Sequence, residues 1–199
     1  PIAGNGIDAV YSINNLLDYA TFRDAMEGKN HVLIIGGGLI GSEYANDLIQ
    51  SGYEVTVVDP LPSVLGTLMP KPASDSVKNA LEAAGVNFYF GTVVEQINKQ
   101  AAGVQATLAN GQSIDADIVL SAIGVRPDLT LAKSAGLQTN RGIITDRSLQ
   151  TSAQNIYALG DCAEVDNHLL FYVAPLIEGA KKLAATINGD VQDVYYGTM

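Results

Sequence analysis

One short run limits this chain more than anything else in it: Gly36-Gly37-Gly38-Leu39-Ile40-Gly41, set between an apolar stretch, His31 to Ile35, and a segment with helical spacing, Gly41 to Ser51. Glycines at that spacing suit a strand that turns sharply into a helix. Gly36 permits the tight turn, Gly38 lets the backbone approach a pyrophosphate, and Gly41 lets helix and strand pack closely. The helix start offers unpaired N–H groups and the positive end of a peptide dipole to the phosphates. Roughly 20 residues on, Asp59 follows the β-branched strand Glu54 to Val58, where an acid can accept both hydroxyls of an adenosine ribose. A plain strand-to-helix turn with a surface Asp would use the same residue types. Strand, glycines, helix, strand and acid in one register favour the dinucleotide site.

Asp59 also bears on the choice of nucleotide. A carboxylate there repels a 2′-phosphate, and no Arg or Lys stands between Val58 and Pro70 to welcome one. NAD is therefore expected over NADP. FAD carries the same adenosine ribose, so the motif by itself does not exclude it.

Around this run the chain reads as alternating elements. Asn14 to Glu27 has helical spacing that ends at Gly28, Leu61 to Met69 is a loop, Ser74 to Ala84 a helix, and Val86 to Tyr89 a third parallel-type strand. Strand, helix, strand, helix, strand predicts an α/β, doubly wound sheet. Short strands over Val93 to Asn98, Val104 to Ala109 and Ser113 to Asp115, with a hairpin turn at Asn110-Gly111, predict an antiparallel meander on one face of it. Ile118 to Ile123 returns as a strand ending at Gly124. A boundary is expected at Val125-Arg126-Pro127, giving a dinucleotide-binding domain over 1–124 and a second piece over 125–199. That piece has short strands at Gly142 to Thr145 and Asn155 to Leu159 and a helix from about Pro175 to Ile187. These bury too little to make a comfortable domain alone.

A net charge of −10 argues against a nucleic-acid partner or an anionic membrane surface, since both need a basic face. The longest apolar stretch, His31 to Gly41, is glycine-broken and too short to span a bilayer. Cys162 is the one cysteine, so no internal disulfide can form and a reducing cytoplasm is the expected location. It also lacks the nearby partner a redox disulfide needs, and reads as a small buried residue. His31 and His168 have no metal-ligand spacing and read as strand-edge or solvated side chains. Phe88, Tyr89 and Phe90 read as core packing, and Lys181 and Lys182 as solvated. The start, Pro-Ile-Ala-Gly with no initiator Met, raises the expectation of a fragment.

Two further segments carry a family resemblance. Ser121-Ala122-Ile123-Gly124-Val125-Arg126-Pro127 resembles the strand-end motif of the pyridine-nucleotide flavin reductases. Thr151-Ser152-Ala153-Gln154-Asn155-Ile156-Tyr157-Ala158-Leu159-Gly160-Asp161-Cys162-Ala163 is similar to their second flavin-binding motif. With the glycine loop and Glu43, these resemble the FAD-dependent pyridine nucleotide-disulfide oxidoreductases. Through Asp161 to Asp166 and Leu170 to Leu176, the likeness is to their rubredoxin-reducing branch.

The resemblance implies a Rossmann-type NAD-binding domain followed by the second half of an FAD-binding Rossmann-like domain whose first segment is absent. It implies that Gly38, Leu39, Ile40 and Asp59 hold NADH and that Ile123 and Gly124 flank its nicotinamide end. Glu43 would lie near the nicotinamide and flavin rings on the first turn of its helix, where it could equally serve as a cap. Asp161 would accept a hydrogen bond from FAD, and Val173 would place its backbone beside the flavin. Electrons would pass from NADH through FAD to rubredoxin or a similar small iron protein, with no side chain acting as nucleophile. A ferredoxin or nitrite reductase-type flavoprotein and a truncated, non-catalytic NADH-binding module are the alternatives. If the flavin face is bare, self-association through it is expected.

Overall fold

The structure is a computed structural model that describes residues 2–196. It divides into two compact units, Pro1–Val125 and Arg126–Met199.

In the first unit, a single 3-10 turn at Ile7–Ala9 leads to β1 (Val10–Ser12) and α1 (Leu16–Ala25). Asn15 caps α1, its side-chain oxygen accepting from the N–H groups of Leu17 and Asp18. Then come β2 (His31–Ile35), α2 (Leu39–Gln50), β3 (Glu54–Asp59), α3 (Lys71–Ala83) and β4 (Asn87–Phe90). β5 (Val94–Lys99), β6 (Val104–Leu108) and β7 (Ser113–Ala116) form an antiparallel sheet, and β8 (Ile118–Ser121) returns to the first sheet. That sheet is parallel throughout, in the order β1-β8-β2-β3-β4.

Alternate residues of its central strands point to opposite faces, and both faces are covered, which is why the strands read as unbroken apolar runs. Val32, Ile34, Val55 and Val57 meet Phe22 and Met26 of the α1 region and Ala45 and Leu48 of α2. Leu33, Ile35, Val58 and Val119 meet the meander through Val94, Ile97 and Ala106. At the opposite end from the glycine run, Asp117 Oδ2 accepts from Asn30 N–H at 2.8 Å and His31 N–H at 3.0 Å. His31 Nε2 pairs with Thr56 Oγ1 at 2.9 Å, a strand-edge role.

The second unit holds α4 (Thr130–Ser134), β9 (Ile143–Thr145), β10 (Ala163–Val165), β11 (His168–Leu169) and α5 (Val173–Ile187). β10 runs parallel to β9 and antiparallel to β11. Its core is small: Leu149, Val165 and Val194, with Leu159, Leu183 and Tyr196 packed against them. Glu164 is only 3% exposed. Its oxygens accept from Asn140 Nδ2 at 2.9 Å and Gly142 N–H at 2.8 Å.

Burial pushes the Glu164 carboxyl up, but the Gly142 and Asn140 donors and the Arg141 charge outweigh it, so its pKa lies below the ordinary glutamate value. The N–H groups of Asn30 and His31 likewise hold Asp117 below the usual aspartate range. Carboxyls depressed on folding contribute stability that is complete above their unfolded values and is lost as pH falls through the folded ones. The denaturation midpoint is thus expected to fall as pH drops below about 4. Glu164→Gln sets an amide N–H against a donor; it should lower the neutral-pH unfolding free energy by about 1–3 kcal/mol, and the midpoint with it, and flatten part of that acid slope. An unchanged midpoint at both pH values would contradict it.

Several elements depart from their expected bounds. Helix α2 begins at Leu39, and α3 begins at Lys71 with Pro72 in its first turn, where a missing N–H costs nothing. Asn155 to Leu159 is not a strand: Asn155 has φ 62° in a tight turn, and only Tyr157 makes a bridge, to Gln150. β1, α4, β10 and β11 are too short to show a period, and His168 is an exposed residue of β11. Cys162 is half-buried, its Sγ 3.5 Å from the Leu159 carbonyl. Lys182 is not freely solvated: its Nζ bonds the Asp193 carbonyl at 2.6 Å and lies 5.7 Å from the Tyr195 ring centre. Among the described residues no helix is long and apolar enough to cross a membrane.

Candidate functional site

All five strands of the main sheet point the same way, so their carboxyl ends share one rim. The chain leaves β2 toward β3 on one side while β8 and β1 lie on the other, which opens a crevice at the end of β2. The glycine run stands there.

Packing accounts for two of its glycines. Gly36 has φ +107°, and a side-chain carbon on it would lie 2.6 Å from the Ala122 carbonyl oxygen at the end of β8. On Gly41 it would lie 1.9 Å from the Gly36 carbonyl oxygen. Nothing of the kind constrains Gly38. Its φ of −72° and ψ of −168° are open to any residue, and an added Cβ would meet no atom within 4 Å. The protein itself gives no reason for a glycine at position 38, and space lies in front of it.

Gly38 is the N-cap of α2, and no side chain caps that end. The N–H groups of Gly38, Leu39, Ile40 and Gly41 therefore have no intrahelical partner. Together with the helix dipole they form a place for an anion. Leu39 is 41% exposed over this end.

Asp59 ends β3 beside the loop and is 8% exposed. Its Oδ2 accepts the Gly37 N–H at 2.5 Å and its Oδ1 accepts the Leu61 N–H at 2.7 Å. A carboxylate has about four acceptor sites, so each oxygen retains capacity for a hydroxyl. The Gly37 carbonyl accepts from Leu65 N–H at 2.8 Å and Ser42 Oγ at 3.3 Å. Leu65 holds φ 53°, which costs a non-glycine residue about 1–2 kcal/mol. These contacts of Leu65 and Ser42, and the buried hydroxyls of Ser63 and Ser74 behind them, escape sequence reading. A left-handed leucine carries no local sign.

The far side of the crevice holds the other expected residues. Gly124 has φ +110°, with open space where a side chain would go. With Ile40, Tyr44, Asn14 and Ala122 it lines a small notch at the ends of β1 and β8. Ile123 is 72% exposed. It lines a larger apolar hollow of about 670 Å³ with Ile2, Ile7, Val10, Val93 and Val94. Glu43 lies in the second turn of α2, not the first, so it caps nothing. It is exposed beside Tyr19, Arg23, Tyr44 and Asp47 in a cleft of about 310 Å³ between α1 and α2.

Within the second unit, Asp161 is exposed on the 3-10 turn Gly160–Cys162. A Cβ on Gly160 would meet Leu176 of α5 at 3.1 Å, so this turn is tucked against the start of that helix. Val173 is the first residue of α5, whose end no side chain caps. It is 70% exposed, and Leu176 and Ile177 are also exposed. An acceptor, free N–H groups and an apolar patch thus stand together, a set that fits an isoalloxazine with its ribityl chain. Among the described residues no group of His, Cys, Asp or Glu is arranged to hold a metal ion.

Residues 1–185 match the family model described as pyridine nucleotide-disulphide oxidoreductase. The whole chain is 50% identical to a rubredoxin-NAD(+) reductase of Alcanivorax borkumensis, over 52% of that protein's length. It is 39% identical over 189 residues to a nitric oxide reductase FlRd-NAD(+) reductase of Aliivibrio fischeri, covering 95% of this chain and 50% of that one. The solved putidaredoxin reductase in its covalent putidaredoxin complex superposes with TM-score 0.86 at 29% identity, over 98% of this chain and 50% of that one. The chain spans about half the length of the curated relatives it matches.

Proposed function

Because the chain belongs to the pyridine nucleotide-disulphide oxidoreductase family, we propose that it carries the NADH site and part of the FAD site of a reductase that passes electrons to rubredoxin or a similar small iron protein. Residues 1–124 are the NAD-binding domain in this reading, and 125–199 the second half of an FAD-binding domain. The observation that carries the NADH site is Gly38: a glycine that its own protein does not require, at an uncapped helix end, with the acid Asp59 bonded to the neighbouring Gly37 amide. Asp59 takes the ribose hydroxyls. The amides of Gly38, Leu39 and Ile40 take the pyrophosphate, while Gly36 and Gly41 shape the turn. Ile123 and Gly124 bound the nicotinamide end, and Glu43 stands in the cleft between α1 and α2, its place near the nicotinamide resting on the family likeness alone.

FAD, when bound, takes two electrons from NADH and releases them singly. Asp161 accepts a hydrogen bond from its ribityl chain, and the backbone at Val173 presents the positive end of α5 to the ring. No side chain acts as a nucleophile; the chain's part is to orient NADH. The relatives named for rubredoxin and FlRd support a small iron protein as acceptor. A lone cysteine suits the cytoplasm. The exposed Val173, Leu176 and Ile177 favour self-association of the chain wherever flavin leaves them bare.

Titrating the chain with NADH and NADPH by nucleotide fluorescence tests the site. NADH should bind at least about tenfold tighter, or about 1.4 kcal/mol. Gly38→Ala should change folding stability by less than about 1 kcal/mol, since its methyl meets no protein atom, yet weaken NADH about tenfold by crowding the phosphates. Equal or tighter NADPH binding, or an unaffected Gly38→Ala, would count against it.

A further inference from the structure

The glycine loop is held from outside by a chain of contacts that ends on α3. Ser74 lies in the first turns of that helix and is 1% exposed. Its Oγ stands 2.5 Å from the Val64 carbonyl oxygen and 2.5 Å from Ser63 Oγ. A carbonyl can only accept, so the single Ser74 proton goes to Val64, and Ser63 donates to Ser74.

Val64 C=O and Leu65 N–H belong to one peptide plane. Ser74 thus holds one edge of that plane, and its other edge donates to the Gly37 carbonyl at 2.8 Å. Gly37 C=O in turn shares a plane with Gly38 N–H, and in a trans peptide the two point in opposite directions. Fixing the carbonyl fixes the N–H. Two rigid planes therefore carry the hold of a buried hydroxyl to the amide that faces the open space at the start of α2.

We propose that Ser74 is a positioning residue for dinucleotide binding: through Val64, Leu65 and Gly37 it orients the Gly38 N–H toward the pyrophosphate. This rests on the NADH reading above. Without the Ser74 hydroxyl, the Val64–Leu65 plane is free to tilt. Leu65 then keeps only the bonds its carbonyl accepts from the Leu68 and Met69 N–H groups to hold its left-handed conformation, and the Gly37–Gly38 plane, left with the longer Ser42 contact, loosens its hold on the Gly38 amide before any nucleotide arrives. Ser63 only donates to Ser74, so its removal leaves the decisive bond in place.

The test uses the full chain, with NADH and with ADP-ribose, which carries the pyrophosphate without nicotinamide. Ser74→Ala and Ser74→Cys, the second filling the space with a weak donor, should each weaken both ligands about tenfold, the loss of one well-placed hydrogen bond. The Leu65 amide proton, which bonds the Gly37 carbonyl, should exchange faster in both, and the preference for NADH over NADPH, set at Asp59, should not change. Ser63→Ala should bind within about threefold of the unaltered chain. Affinities within threefold in both Ser74 variants would overturn the proposal, as would a Ser63→Ala loss equal to that of Ser74→Ala. If the unaltered chain binds neither ligand, the nucleotide reading itself fails and the proposal falls with it.

Discussion

Gly41→Ala is expected to unfold the first unit or leave it only marginally folded. In most helix interiors that exchange gains about 1 kcal/mol, because alanine restricts the unfolded chain and glycine does not. Here the methyl carbon would sit 1.9 Å from the Gly36 carbonyl oxygen, with Ala122 Cβ at 3.4 Å behind it. Gly36 cannot retreat. Its N–H is bonded to Val58 O at 2.8 Å, and it already stands against the Ala122 carbonyl. The start of α2 would have to lift from β2, uncovering Ala45 and Leu48, which pack against the sheet. Clashes that move backbone cost upward of about 3 kcal/mol, well beyond the propensity gain and a large share of a typical domain's 5–15 kcal/mol. Chemical denaturation followed by circular dichroism measures this. A variant within about 1 kcal/mol of the original would mean that helix and strand are not in such close contact.

Asp59→Ala is expected to weaken NADH about a hundredfold and abolish the preference over NADPH. Its carboxylate serves two masters in this account, the ribose and the loop. Losing it removes charge-assisted bonds to the hydroxyls, about 1.5–3 kcal/mol. It also strands the buried Gly37 N–H and the half-buried Leu61 N–H, at about 1–3 kcal/mol for a fully buried donor. The same substitution should therefore lower both affinity and stability, whereas Gly38→Ala lowers affinity alone. Parallel titrations and denaturation curves read both. Unaltered stability in Asp59→Ala would show that the loop does not lean on this carboxylate.

The contrast between those residues also explains what the sequence could reveal. Gly36, Gly41 and Asp59 announce themselves because backbone geometry, close packing and charge each demand one residue type at a fixed spacing. The strands β2 and β3 are legible because burial on both faces leaves unbroken apolar runs. The clamp behind the loop is not legible. Ser63 and Ser74 look like ordinary loop and helix serines, and Leu65 gives no hint of a positive φ, because tertiary contacts alone select these states. The second unit reads poorly for a related reason. Its strands are two or three residues long, too short for a period, and the turn at Asn155 breaks an apolar run that otherwise suggests a strand.

The central claim is that the crevice at the end of β2 binds NADH through the start of α2 and Asp59. Amide NMR of the isotope-labelled chain during NADH addition tests it most directly. The account predicts the largest shifts at Gly38, Leu39 and Ile40, with further shifts at Asp59 and Gly124, and only small ones at Asn30, His31 and Asp117 on the opposite rim. Shifts confined to that opposite rim, or none at saturating NADH, would contradict it.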